Sequence, residues 1–336
     1  MKNIVLLSYG KETEYKRAIF CILSFWKWYG NSSDQIRVVI YTDNIDYFKS
    51  FLTDFDVLYR PTTISEINDF IRETGYMYRF KISVIDQTFV EYPNDDLLFI
   101  DTDTFFITNP KPLLDAIIPG QCFMHEREYS FEEGIDVWRM MNTKHTADAD
   151  KLEKYPKSFI ALIESKTFSI AGKEVKFNRN DHVWNSGVLG ISKEVFTYIP
   201  DVFALTDEFF LKTRWRISEQ IAFTFVLKSF SKVLPASQYL NHYWYYKDRV
   251  DIRLNELFTD NFKKLNKTDK ILVVGKLIKR LNKRLHHEQM MTDTIVALRK
   301  KNFKEGIKNT FKAVTSLPLN ADFIEIIKYR LGQKIS

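Results

Sequence analysis

Residues 97–110 read LLFIDTDTFFITNP, so Leu97-Leu98-Phe99-Ile100 runs directly into Asp101-Thr102-Asp103. Four consecutive apolar residues have the length and type of a strand buried on both faces of a sheet. A buried strand that stops in Asp-Thr-Asp puts two carboxylates where charge is costly. In open α/β sheets, the ends of such strands line the ligand crevice. The two carboxylates therefore hold a cation, perform acid–base or nucleophilic chemistry, or only cap and turn the chain.

Working outward toward the N-terminus, strand and helix patterns alternate. NIVLLS (3–8) is a strand, and Glu12–Trp28 is a helix with Ile19, Ile22, Leu23 and Trp26 at helical spacing. IRVVIYT (36–42) is a second strand that ends in the Thr42-Asp43-Asn44 corner. A helix near Asp46–Thr53, a short strand FDVLY (55–59) and helical segments from Ser65 to Tyr92 complete a βαβαβ order. That order predicts an α/β fold: a mixed, mostly parallel sheet flanked by helices. No G-x-G-x-x-G or G-x-x-x-x-G-K-[ST] occurs, which leaves neither a dinucleotide-type loop nor a P-loop.

Toward the C-terminus, CFMHE (122–126) is a further strand, and about 127–180 is polar and weakly periodic, as expected of an insertion or lid. VWNSGVLGIS (183–192) returns to strand character with a polar break at Asn185-Ser186-Gly187. ISEQIAFTFVLKSF (217–230) is a helix, KVLPA (232–236) a short strand, and NHYWYYKD (241–248) an aromatic-rich loop. The chain then turns helical and basic. The expected division is one domain over 1–250 and a helical basic region over 251–336.

With 336 residues, 45% of them hydrophobic, the chain can bury a sizeable core without staples. Cys21 and Cys122 lie in apolar surroundings and are expected to be reduced core residues. The chain starts at Met1-Lys2-Asn3 directly before a strand, without a signal-peptide pattern, and no apolar run reaches the roughly 18 residues of a membrane span. A cytoplasmic protein is expected. The net charge of +6 is uneven: residues 262–336 carry 18 Lys+Arg against 6 Asp+Glu, and the rest 31 against 37. In KLIKRLNKRLHH (276–287), Leu277, Ile278, Leu281 and Leu285 share one face and basic residues the other. An acidic body with a basic tail points to an anionic surface as the tail's partner. No nucleic-acid-binding motif accompanies the charge, so nucleic acid is not expected. Anionic lipid suits it, at about 1 kcal/mol per basic residue near the membrane.

LLFIDTDT also matches the local hhhh-D-x-D-x-T pattern of haloacid-dehalogenase-type phosphatases, in which the first Asp is a nucleophile and the second a general acid. That family carries the motif on its first strand and needs a later strand ending in an acidic pair. Here three strands precede it, and no apolar strand after residue 104 ends that way. Four stretches taken in order fit better: Asp101-Thr102-Asp103, Trp184-Asn185-Ser186-Gly187-Val188, Glu219-Gln220, and His242 with Lys247 in HYWYYK. In that order the chain resembles the GT-A-fold glycosyltransferases, particularly the family that includes glycogenin and the lipopolysaccharide galactosyltransferases. The family has Asp where Glu219 stands, and a longer His-to-Lys spacing with Gly and Pro between.

The resemblance implies a GT-A-type fold over residues 1–250. It also implies a metal-dependent enzyme that moves a sugar from a nucleotide-sugar, expected to be a UDP-sugar, to a glycan or lipid-linked acceptor in surface-polysaccharide or lipopolysaccharide synthesis. Asp101, Asp103 and His242 would hold Mn²⁺ or Mg²⁺, a hard cation suited to oxygen ligands. Thr102, Ser186, Gly187, Gln220 and Lys247 would contact the donor, and Glu219 and Asn185 are the candidate catalytic residues. A retaining reaction is implied; an inverting one would need Glu219 or another carboxylate as base. Physical reasons accompany these roles. A diphosphate leaving group needs cations, which Lys247, Arg79 and Lys81 could add. Ser8, Tyr9, Thr42 and Asp43 sit at the ends of the first two strands, where a nucleoside would lie, with a tyrosine to stack and a carboxylate to read a base N–H. Gly187 permits close backbone approach, and the Asn185 amide can hydrogen-bond sugar hydroxyls. The competing class is a non-catalytic nucleotide- or glycan-binding protein, which would have no reason to keep unpaired buried carboxylates.

Overall fold

The computed structural model describes residues 1–30, 35–71, 74–141, 152–299 and 302–316. Parts of the expected insertion (142–151) and of the basic C-terminal region (317–336) lie outside the described residues. Thirteen strands are described: β1 (Lys2–Ser8), β2 (Ile36–Thr42), β3 (Leu58–Pro61), β4 (Asp96–Ile100), β5 (Thr104–Phe106), β6 (Gln121–Met124), β7 (Arg127–Ser130), β8 (Phe168–Ile170), β9 (Lys173–Val175), β10 (His182–Trp184), β11 (Val188–Ile191), β12 (Lys232–Pro235) and β13 (Leu240–His242). Seven of them form one sheet in the order β12-β6-β11-β4-β1-β2-β3.

The apolar runs of β1, β2 and β4 explain the centre of this sheet. Ile4, Val5 and Leu6, Val38 to Ile40, and Leu97 to Ile100 are all buried, as strands covered on both faces require. β1 runs parallel to β2 and β4, with Ile4 opposite Val38 on one side and Leu98 on the other. β2 is parallel to β3, and β12 to β6. Only β11 runs against its neighbours β4 and β6. Because β11 is reversed, its beginning lies beside the end of β4: Val188 pairs with Ile100, and the Asp101 amide donates to the Gly187 carbonyl at 2.8 Å. One antiparallel strand thus brings two distant polar breaks, Asp101–Asp103 and Asn185–Gly187, to one sheet edge.

Helix Glu12–Tyr29 packs Phe20 and Phe25 onto Phe105 and Phe106 of β5, with ring centroids 5.4 Å apart in both pairs. The 127–180 stretch reads weakly because its elements are short. It contains β7 paired with β10, helix Phe131–Met141, helix Lys154–Ser165 and the β8–β9 hairpin. Its Phe131, Phe159, Phe168 and Phe177 share one buried cluster with Trp215 and Phe225, so this stretch builds core.

The chain divides into two compact units, Met1–Val274 and Gly275–Ser336. Within the first, helix Lys247–Leu257 is tied to helix Glu12–Tyr29 by an Arg17–Asp251 ion pair at 2.5 Å and a Lys16–Asn255 hydrogen bond at 2.8 Å. Lys270 donates to the Phe51 carbonyl at 2.9 Å. The second unit holds the rest of helix Lys267–Arg299, with Ile278, Leu281 and Leu285 buried at helical spacing, and helix Phe303–Ser316. Among the described residues no helix is long and apolar enough to cross a membrane. Cys21 and Cys122 are buried and free, as expected.

Candidate functional site

The Asp-Thr-Asp corner is completed from far along the chain. β13 pairs antiparallel with β5 and sets His242 opposite Thr104, and the Tyr243 amide donates to the Asp103 carbonyl at 2.9 Å. The stretch expected to be an aromatic loop is therefore a strand followed by a 3₁₀ turn, Trp244–Tyr246. The pairing brings His242 Nε2 to 3.3 Å from Asp103 Oδ1, while Lys247 Nζ lies 2.8 Å from Oδ2. One ligand atom each from Asp101, Asp103 and His242 falls within 4.8 Å of the other two. Burial pushes the Asp103 carboxyl up, but His242 and Lys247 outweigh it and hold this group well below the ordinary carboxylate range. Burial likewise pulls the His242 imidazole down, and Asp103 outweighs it, so the ring titrates above its ordinary value.

Two contacts orient that imidazole. Its Nδ1 lies 2.9 Å from Asn185 Oδ1, which can only accept, so Nδ1 carries a proton and Nε2 is the ring nitrogen that faces Asp103. The ring also lies on Gly187: a Cβ there would come within 2.3 Å of Cε1 and 2.4 Å of Nδ1. The close approach expected at Gly187 is thus made by a side chain of this protein. Asn185 is engaged at both ends as well, since Oδ1 also accepts from the Gly187 amide and Nδ2 donates to Glu128, both at 2.9 Å.

A second group of charges stands beside the first. Lys81, on helix Arg79–Glu91, reaches Asp101 at 3.1 Å and Glu219 Oε1 at 3.4 Å, and donates to the Ser186 carbonyl at 3.2 Å. Ser186 donates its hydroxyl to Glu219 Oε2 at 3.1 Å. Glu219 opens helix Ser218–Phe230 and is buried. Burial lifts its pKa to about 7; Lys81 opposes the rise and Asp101 adds to it. Burial would lower the Lys81 ammonium, but Asp101 and Glu219 hold it above its ordinary range. Arg79, two residues away, turns elsewhere because two helical residues are about 200° apart. It ion-pairs with Asp207 at 2.8 Å and donates to the Phe70 carbonyl at 2.5 Å.

At the ends of β1 and β2, Asp43 accepts from the Gly10 amide at 3.0 Å and from the Tyr15 hydroxyl at 2.8 Å. Tyr9 meets Phe80 edge to face at 5.7 Å, and burial raises its pKa. Ser8 and Thr42 are buried, and the Thr42 hydroxyl accepts from the Asn44 amide at 3.2 Å. Thr102 gives its hydroxyl to Glu14 at 2.7 Å. Glu14 in turn pairs with Arg17 at 2.5 Å. Gln220 approaches the Ser186 amide at 3.5 Å and donates to Glu128 at 3.0 Å.

Three participants escape the sequence patterns. Glu128, half-buried on β7, accepts from both Asn185 and Gln220, and burial raises its pKa. His125 is buried edge to face with His242 at 5.3 Å; burial first, then His242, pushes its pKa down to about 3, so it stays neutral. Glu14 carries the Thr102 contact from the first turn of the first helix. Glu128 lies in the weakly periodic stretch, where only the pairing of β7 with β10 reveals which way it faces. At the rim, Trp244 and Tyr245 are 43% and 48% exposed, while Tyr243 beside them is fully buried against Phe105.

No protein-family model matches the chain, and no curated protein sequence matches it. Among solved structures it is similar to mouse xyloside xylosyltransferase 1 in its apo form, with 15% identity and a TM-score of 0.42 over 70% of this chain and 85% of that one. It is also similar to the galactosyltransferase LgtC in complex with donor and acceptor sugar analogues, with 10% identity and a TM-score of 0.42 over 76% of this chain and 96% of that one. A third is the glycosyltransferase GlyE of Streptococcus pneumoniae TIGR4, with 11% identity and a TM-score of 0.38 over 70% of this chain and 46% of that one.

Proposed function

We propose that this chain is a metal-dependent glycosyltransferase that moves a sugar from a nucleoside-diphosphate sugar, a UDP-sugar in the first instance, to a glycan or lipid-linked acceptor. Surface-polysaccharide or lipopolysaccharide assembly is the setting such an acceptor suggests. The observation that carries this is the convergence of Asp101, Asp103 and His242 within 4.8 Å at the end of a central strand. Two carboxylates and an imidazole are a donor set for Mn²⁺ or Mg²⁺. The imidazole is already turned for the purpose, with Nδ1–H held by Asn185 and the ring lying where a Gly187 Cβ would be. The ion, when bound, would neutralise charge on the departing diphosphate.

The chain's own groups supply the rest. Lys247 and Lys81 sit on Asp103 and Asp101 and add positive charge at the same corner. Glu219, with its pKa raised to about 7, can hold or accept a proton at a sugar hydroxyl near neutral pH. Asn185, Gln220 and Glu128 position the turn that carries Ser186. Tyr9 and Asp43 stand where the nucleoside would lie, and Trp244 and Tyr245 offer exposed ring faces to the acceptor's sugar. A phosphatase would need Asp103 as its proton donor, whereas His242 and Lys247 keep that group ionised.

Thermal unfolding with UDP, GDP and CMP, each with and without Mn²⁺, tests the proposal on the wild type and on Asp103→Ala. A ligand that binds only the native state raises the midpoint by mass action. The expected result is a Mn²⁺-dependent shift with one nucleotide, UDP first, that Asp103→Ala abolishes. No shift with any nucleotide would overturn it.

A further inference from the structure

Helix Phe303–Ser316 is built the wrong way round for a helix of a freely soluble domain. Among its positions whose burial is described, the buried ones are small: Gly306 and Ala313. Its large apolar residues face out instead, with Phe303, Ile307 and Phe311 being 61%, 69% and 73% exposed. At a spacing of four they form one continuous stripe, each step drifting only about 40° around the axis. Lys304, Lys308 and Lys312 repeat the same spacing one residue on, about 100° further round, and all three are exposed. Scattered single exposed apolar residues are ordinary; an aligned row bordered by a row of ammonium groups is a surface built to be covered.

We infer that this helix is an interfacial anchor that lies in the plane of an anionic phospholipid bilayer, with Phe303, Ile307 and Phe311 in the acyl boundary and the three lysines at the headgroups. An apolar stripe edged by long cationic side chains matches a bilayer in both layers of its chemistry: tails for the rings, phosphates for the ammoniums. A second copy of the same helix would fit poorly. Pairing two stripes antiparallel would bring two lysine rows together, and in a parallel pair the helix's single acidic residue, Glu305, already lies 3.5 Å from Lys308 of its own helix and leaves the other lysines no carboxylate. The surrounding sequence favours the same partner, because residues 262–336 carry 18 basic against 6 acidic residues. This inference stands on the helix alone and survives if the transferase proposal fails.

The test is co-sedimentation of the full chain with vesicles of phosphatidylcholine alone or mixed with phosphatidylglycerol. Three forms are compared: wild type, a Phe303→Ser/Ile307→Ser/Phe311→Ser variant, and a Lys304→Gln/Lys308→Gln/Lys312→Gln variant. Far-ultraviolet circular dichroism confirms that each is folded. The wild type should bind the phosphatidylglycerol vesicles and not the neutral ones. The serine variant should lose most of that binding, and the glutamine variant about fivefold per lysine removed. Should the serine variant misfold, the glutamine series still decides. No binding by the wild type, or equal binding by all three, overturns the inference. So does a wild-type dimer that the serine variant makes monomeric, since the stripe would then be an interface between copies.

Discussion

Asp103 and Glu219 occupy two walls of one site and are almost equally buried, 4% and 3% exposed, yet their pKa values move in opposite directions. Burial opposes ionisation in both. Asp103 has two cationic partners close by, an imidazole at 3.3 Å and an ammonium at 2.8 Å. Glu219 has one ammonium at 3.4 Å, which it shares with Asp101 at 3.1 Å. Burial sets the size of the penalty, and the number and closeness of the cations set the sign. One wall is therefore a fixed negative site fit for a cation, and the other a carboxyl that holds or yields a proton near neutral pH.

The largest expected effect comes from removing the charge on the ionised wall. Asp103→Asn keeps the side chain's shape but leaves His242 and Lys247 without their anion. Sugar transfer should fall by about 10³-fold or more, and its dependence on added Mn²⁺ should vanish. Acid stability reports the same loss. A depressed carboxyl stabilises the fold above its unfolded pKa, near 3.8, and that contribution disappears as pH falls toward the native value. Asp103→Asn should therefore flatten the acid limb of the unfolding curve below about pH 4.

Glu219→Gln probes the other wall, with an expected loss of about 10²-fold in turnover if the carboxyl moves a proton. Its stability signature has the opposite sign. With a pKa of about 7 in the fold against 4.5 ordinarily, the native state binds more protons across that interval. Stability from this group is thus full below about pH 4.5 and is lost as pH rises through 7. The Gln variant should lack that decline, a relative gain on the order of 3 kcal/mol by pH 8. Chemical denaturation at half-unit pH steps measures it. Parallel curves for the two proteins would mean that Glu219 titrates as an ordinary carboxyl, and the comparison would collapse.

How legible these walls are in the sequence depends on how far each residue's partner lies. The β4 run and its Asp-Thr-Asp end are local, and so is the break at Asn185–Gly187; both stand where the patterns place them. Lys81 and Arg79 read alike because two residues on a helix share composition but not direction, and only packing shows that Arg79 meets Asp207. The seat of His242 depends on pairing between three-residue strands, too short for any period to register. Glu128 is invisible for the same reason. The spacing of Phe303, Ile307 and Phe311 is visible in the letters, but their exposure is a property of the fold.

A smaller effect is expected from Gly187→Ala. A methyl group 2.3 Å from the His242 ring cannot be accommodated without moving the imidazole off Asp103. Metal affinity should weaken by 10- to 100-fold, about the range for lost support of a liganding histidine. His242→Ala should look the same, and Glu219's titration should not change. Calorimetric Mn²⁺ titration of both variants is the measurement. A Gly187→Ala protein with wild-type affinity would mean that the ring's position on the glycine does not matter.

The smallest effect is expected at the rim. Trp244 is exposed although its neighbour Tyr243 is buried and bonded through its amide to Asp103, so an anchored base presents an exposed indole beside the Asp103 corner. An indole face gives a sugar ring apolar contact worth about 1 kcal/mol, and more where Tyr245 adds a second surface. Trp244→Ala should therefore raise the acceptor KM by about 5- to 10-fold with turnover nearly unchanged. Neither wall loses a contact to the indole, so the Mn²⁺-dependent nucleotide shift and the Glu219 pH signature should both persist. If the nucleotide shift is lost instead, the indole serves the donor, and the acceptor enters from the Glu219 side. That outcome would reverse which wall faces which substrate while leaving the charge difference between them intact.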